Sequence, residues 1–147
     1  QTNLKKDNIG KKIDLKARQF LKKDGLNYPH GTGHGVGFFL NVHEGPQSIS
    51  QNNKIKLEKG MILSNEPGYY KKNHFGIRVE NLIYIEKINQ GLKFKNLTLV
   101  PIDKDLINYS LLDQNEKDYL FRYHLDIYKA LSKFLNLKEK KWLASHI

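Results

Sequence analysis

Residues 28–46, YPHGTGHGVGFFLNVHEGP, hold three of the chain's six histidines, five glycines and a single acidic side chain. Imidazole is both a metal ligand and a proton carrier near neutral pH, so a cluster of three invites either chemistry. His30 and His34 stand four apart, the spacing of a metal pair on a helix. Gly31, Gly33, Gly35 and Gly37 argue against a helix there, at about 1 kcal/mol each relative to alanine. On a bent strand the same two histidines share one side, and the glycines let a ligand or another backbone come close. A lone histidine in such a segment reads more simply as an exposed turn residue. Two carboxylates further along alter the balance. Glu66 sits between the apolar run MILSN and a Pro-Gly turn, and Glu80 lies near Arg78 within IRVENLIYI. A carboxylate in an apolar strand is costly to bury unless paired or metal-bound. Facing solvent on an edge strand, Glu80 would need neither. One imidazole and two carboxylates at strand ends make a hard, oxygen-rich donor set suited to Mn²⁺, Co²⁺ or Zn²⁺.

The elements that would carry these groups follow from hydrophobic spacing. Ile13, Ala17, Phe20 and Leu21 form an apolar stripe over residues 11–24 with lysines opposite, which predicts a helix stopped by Gly25. GFFLNV reads as a short strand, SISQNNKIKLEKG as loop and turn, and MILSNEPGYY as a buried strand running into a turn. FGIRVENLIYIE alternates like a strand, and NQG at residues 89–91 turns it back into LKFKNLTLV. Residues 113–146 are helical, opened by Asp113 with Glu116 three positions on. Leu120, Tyr123, His124, Ile127, Tyr128 and Leu131 follow at helical spacing. The fold class is α+β with a mostly antiparallel sheet.

Composition narrows the partners. The net charge of +10 comes from lysine, scattered in pairs such as Lys5-Lys6 and Lys71-Lys72; only Arg18, Arg78 and Arg122 are arginine. Nucleic-acid sites favour the bidentate guanidinium, and no basic block of that kind occurs, so nucleic acid is an unfavoured partner. With no cysteine, disulfides and thiolate metal sites are excluded. No apolar run approaches the roughly 20 residues of a membrane span, and the polar start QTNLKKDNIG does not resemble a signal peptide. The expectation is a cytoplasmic protein without a membrane partner.

HGTGHGVGFFLNVHEGP, GMILSNEPGYY and FGIRVENLIYI resemble, in order and spacing, the C-terminal part of the Xaa-Pro aminopeptidases (aminopeptidase P), within the methionine aminopeptidase/prolidase superfamily. IDLKARQFLKKDGLNYPHGTGHG, LTLVPIDKDLINYSLL and YLFRYH extend the resemblance over nearly the whole chain. Methionine aminopeptidases share the Gly-His-Gly tract, but His30, EPGYY and RVEN belong to the proline-directed branch. The resemblance implies the C-terminal part of a pita-bread fold. Residues 1–102 would form part of the metallopeptidase domain, and residues 103–147 its helical extension. It implies His34, Glu66 and Glu80 as metal ligands, with Glu80 bridging two ions. His30 and His43 would hold the peptide and stabilise the tetrahedral intermediate, and Arg78 would orient the ligands. The implied reaction is removal of an N-terminal residue before proline, with water or hydroxide between two metals as nucleophile and Glu66 as general base. Manganese is the first expectation, with zinc or cobalt as substitutes.

The same resemblance calls for two further aspartate ligands on an upstream hairpin. Asp14–Asp24 and Asp103–Asp113 repeat their spacing, but they lie in a helix and after the last motif, and they read as decoys. The sequence therefore reads as a C-terminal fragment. It would bind at most one of the intact enzyme's two ions and be inactive alone. It would also leave an apolar sheet face uncovered, which a homodimer or a separate N-terminal half would shield. The alternatives are a non-catalytic binding module on the same fold and, behind it, a basic nucleic-acid binder.

Overall fold

The computed structural model describes residues 3–4, 8–39, 41–89 and 91–147; the Lys5-Lys6 pair, Leu40 of GFFLNV and Gln90 of NQG lie outside the described residues. The chain divides into two compact units, Gln1–Thr98 and Leu99–Ile147. Among the described residues the mixture is three α-helices with antiparallel strands, as the α+β reading requires.

The first unit begins with strand β1 (Asn3–Leu4) and helix α1 (Gly10–Lys23). Among the described residues no side chain caps the start of α1. Its first N–H groups instead reach loop carbonyls, Gly10 to Ile55 and Lys11 to Asn53. The predicted stop at Gly25 holds. Its φ is +70°, its N–H donates to the Lys22 carbonyl, and the Leu26 N–H reaches back to Leu21, a Schellman closure. The stripe needs correcting, because Phe20 is 61% exposed while Asp14 and Arg18 are fully buried.

The histidine segment contributes β2 (Gly33–His34), which pairs antiparallel with β3 (Ser48–Ile49). The described residues of GFFLNV are not a strand; Phe38 and Phe39 stand in solvent. SISQNNKIKLEKG is loop and turn apart from β3. MILSNEPGYY forms β4 (Ile62–Asn65) and then, past Pro67, a second strand β5 (Gly68–Lys71) rather than ending in a turn. FGIRVENLIYIE is likewise two strands, β6 (Phe75–Arg78) and β7 (Asn81–Ile88), broken at Val79-Glu80. Strand β6 folds back on β5, whereas β7 joins the main sheet, so the break separates two different partners. Strand β8 (Gly91–Asn96) completes the expected hairpin, with Asn89 at φ +52°. The main sheet runs β1-β8-β7-β4. Its core is Leu4, Ile49, Leu57, Leu63, Ile83 and Ile85.

In the second unit, α2 (Gln114–Leu131) starts with the predicted box: Asp113 accepts from the Glu116 N–H, and Glu116 accepts from that of Asp113. Helix α3 (Leu137–Ser145) repeats the device with Asn136 and Glu139. Tyr123, Ile127 and Leu143 form the core between them. No helix is long and apolar enough to cross a membrane among the described residues.

Candidate metal and peptide site

Strand β2 lies close against β4 because Gly33 has no side chain. A Cβ there would stand 2.0 Å from the Ser64 carbonyl oxygen. That approach brings His34 to Glu66 across thirty-odd residues of sequence. The His34 N–H donates to Ser64 Oγ at 2.9 Å, and the Ser64 hydroxyl donates to Glu66 Oε1 at 2.9 Å. The Glu66 N–H donates to the Thr32 carbonyl at 2.8 Å, so its backbone is tied to the same segment.

The His34 ring then becomes informative. Its Nδ1 lies 3.0 Å from the Gly35 carbonyl, which can only accept, so Nδ1 carries the proton. Nε2 is left with its lone pair, 3.3 Å from Glu66 Oε1. At that distance the nitrogen and the carboxylate oxygen form a pair that a cation can join. An imidazole nitrogen with a carboxylate oxygen fits a borderline or hard divalent ion. The His43 ring packs against His34, tilted by 41° with centroids 4.0 Å apart.

On the other side, Arg78 from β6 donates from Nη1 to Glu66 Oε2 at 2.9 Å and from Nε to the Tyr70 hydroxyl at 2.9 Å. The Tyr70 hydroxyl contacts His30 Nε2 at 2.7 Å, and His30 Nδ1 lies 2.7 Å from the Gly31 carbonyl. With that carbonyl taking the Nδ1 proton, a neutral His30 accepts from the Tyr70 hydroxyl at Nε2, and Tyr70 accepts from Arg78. The hydrogen bond to Tyr70, ahead of the Glu66 and Glu80 carboxylates, pushes the Arg78 pKa up, and this guanidinium stays charged.

Of the sequence-derived residues, His34, Glu66 and Arg78 are joined directly, His43 packs on His34, and His30 joins through Tyr70. Tyr70 was missed: an aromatic in EPGYY carries no periodic signal that its hydroxyl bridges two polar groups. Glu80 stands apart. It is exposed in the link between β6 and β7, not inside an apolar strand, and its carboxylate acts on Arg78 only through space. Among the described residues no three His, Asp or Glu side chains gather as a metal cluster. The aspartates set aside as decoys are engaged elsewhere. Both Asp14 oxygens are bonded, Asp24 ends α1, and Asp103 and Asp113 cap helical turns.

Residues 2–87 match the model of metallopeptidase family M24, and residues 90–147 match that of the C-terminal region of peptidase M24. The chain belongs to metallopeptidase family M24. A peptidase of Schizosaccharomyces pombe is 48% identical over 96% of this chain and 25% of its own length. Xaa-Pro aminopeptidase 1 of Dictyostelium discoideum is 44% identical over 94% of this chain and 24% of its own. The crystal structure of the X-prolyl aminopeptidase of Caenorhabditis elegans, described as a cytosolic enzyme with a di-nuclear active site, superposes with a TM-score of 0.90 at 38% identity. That match covers 99% of this chain and 25% of the other, and it makes the fold part of a pita-bread fold. The chain thus spans about a quarter of the length of the relatives it matches.

Proposed function

We propose that this chain contributes to the active site of a cytoplasmic, metal-dependent aminopeptidase that releases the residue preceding proline. The single observation that carries this is His34 Nε2 standing 3.3 Å from Glu66 Oε1, with Nδ1 turned to the Gly35 carbonyl. In this reading His34 and Glu66 would be two of the metal's ligands, and Glu80, two residues beyond the arginine that holds Glu66, would be the third. Bound there, a divalent ion, Mn²⁺ first and Zn²⁺ or Co²⁺ as substitutes, supplies Lewis acidity and a nucleophilic water at neutral pH. Ser64 and Arg78 orient the two Glu66 oxygens, so that Glu66 serves as ligand and as proton acceptor in one fixed pose. His30 presents its ring on the Tyr70 side, and His43 lies over His34. They are the groups that hold the peptide and steady the developing oxyanion. The similarity to Xaa-Pro aminopeptidase 1 of Dictyostelium discoideum and to the cytosolic X-prolyl aminopeptidase of Caenorhabditis elegans supports the Xaa-Pro preference and the cytoplasmic location.

With two donors together and Glu80 outside them, the chain by itself is expected to bind one ion weakly and to hydrolyse little. Titration with Mn²⁺ and with Zn²⁺, counting ions per chain, tests this. One ion, lost in His34→Ala and in Glu66→Ala, is the expected result. Binding that survives both substitutions would overturn the assignment, and cleavage of peptides lacking proline at the second position would overturn the specificity.

A further inference from the structure

The most buried charges among the described residues lie outside the groups just described. Arg18 and Asp14 are 1% and 0% exposed, on the inner face of α1. Arg18 Nε donates to Asp14 Oδ2 at 2.8 Å, and Nη1 donates to Asn27 Oδ1 and to the Tyr28 carbonyl, both at 2.7 Å. Nη2 donates to the His30 carbonyl, and the guanidinium lies 3.9 Å from the centre of the Tyr28 ring. The other Asp14 oxygen accepts from the Thr32 hydroxyl at 2.7 Å, so the Tyr28 hydroxyl must be the donor in its contact with Thr32.

These bonds close a ring through the site. One arm runs from Arg18 to the His30 carbonyl, then from the His30 ring through Tyr70 and Arg78 to Glu66. The other runs from Arg18 through Asp14 and Thr32, whose carbonyl takes the Glu66 N–H. We propose that Arg18 is a positioning residue that sets the His30 ring, and through Thr32 the spacing from His30 to Glu66. The proposal rests on His30 being a substrate-side group of the peptidase. A brace needing only stability would not need charge, since a buried ion pair is often replaceable by apolar side chains at no net cost. What apolar groups cannot do is grip the side chain at 27 and the carbonyls at 28 and 30 from one rigid fork.

The test is the tautomer of His30, read by long-range ¹H–¹⁵N NMR on the full chain without metal or peptide. The wild type is expected to show His30 protonated at Nδ1 alone. Arg18→Lys keeps the charge but loses the fork, and is expected to lose that single-tautomer pattern while His124 signals stay unchanged. A folded Arg18→Lys chain with the His30 pattern intact would overturn the proposal. Should that variant not fold, Thr32→Val and Thr32→Ser decide. Thr32→Val is expected to disturb His30 and Thr32→Ser to restore it; equal, wild-type patterns in both would overturn it. Failure of the metal titration would sink the peptidase reading while leaving this readout standing.

Discussion

Ser64 is the smallest side chain with two tasks at this site, since it accepts the His34 N–H and donates to Glu66 Oε1. Removing the hydroxyl leaves the part-buried His34 N–H without its acceptor and lets the carboxylate turn. Ser64→Ala is therefore expected to lower divalent-ion affinity by roughly 10–100-fold, the range seen when a group orienting a ligand is lost. Isothermal titration beside the wild type checks this, and an unchanged affinity would remove Ser64 from the site. The same scale explains why Glu66 tolerates burial. Its two oxygens and its own N–H all have partners, so few of its hydration bonds go unreplaced.

Elements meet at this site because one strand lacks a side chain. Gly33→Ala would press a methyl group into the Ser64 carbonyl and force β2 away from β4. Overpacking of that kind costs about 1–3 kcal/mol, and it should lower the urea midpoint of the first unit and weaken ion binding together. A midpoint lowered with ion affinity intact would show that β2 is not what aims His34. In the second unit Asp113→Ala removes half of a capping box and should cost about 0.5–2 kcal/mol. Trp142, the only tryptophan, reports this by fluorescence during urea unfolding.

For the molecule as a whole, two properties follow from what is buried and what is not. His124 is buried on α2, and its Nε2 accepts from the Ile102 N–H at 3.1 Å, a bond only the unprotonated nitrogen can take. Burial, with Lys104 adding to it, pushes its pKa below the ordinary value of 6.5. The unfolded chain therefore takes up this proton before the folded one does. The contribution to stability is complete above pH 6.5 and is lost as pH falls from there through the folded value. The melting midpoint of the second unit should fall over that window, and His124→Gln, which keeps an acceptor but no titration, should flatten the dependence. An equal fall in the variant would assign the effect to another group. The second property is exposure. Phe38 and Phe39 stand 96% and 80% exposed, an apolar surface of the kind that drives association. Sedimentation should show concentration-dependent self-association, and Phe38→Ser with Phe39→Ser should abolish it. A wild-type chain that stays monomeric at high concentration would contradict this.

The amino-acid sequence alone determined the type of most elements and several of their ends. The Gly25 stop, the Asp113–Glu116 box and the turn at Asn89 depend on neighbours within a few residues, so local pattern suffices to read them. Motif order was also legible, which is why the family could be named from residues 30–46, 60–70 and 75–85. The tertiary structure decided which groups meet. His34 and Ser64 are thirty residues apart, and Arg18 reaches a carbonyl twelve residues on. Periodicity marked Phe20 as buried and left Asp14 and Arg18 unremarked, because apolar spacing cannot show that two charges have found enough partners to leave water. It also set Glu80 inside one continuous strand, where the structure breaks FGIRVENLIYIE between two hairpin partners and leaves that carboxylate in solvent. Alternation along a strand sets which side chains share a face; strand pairing, a non-local choice, sets what that face meets.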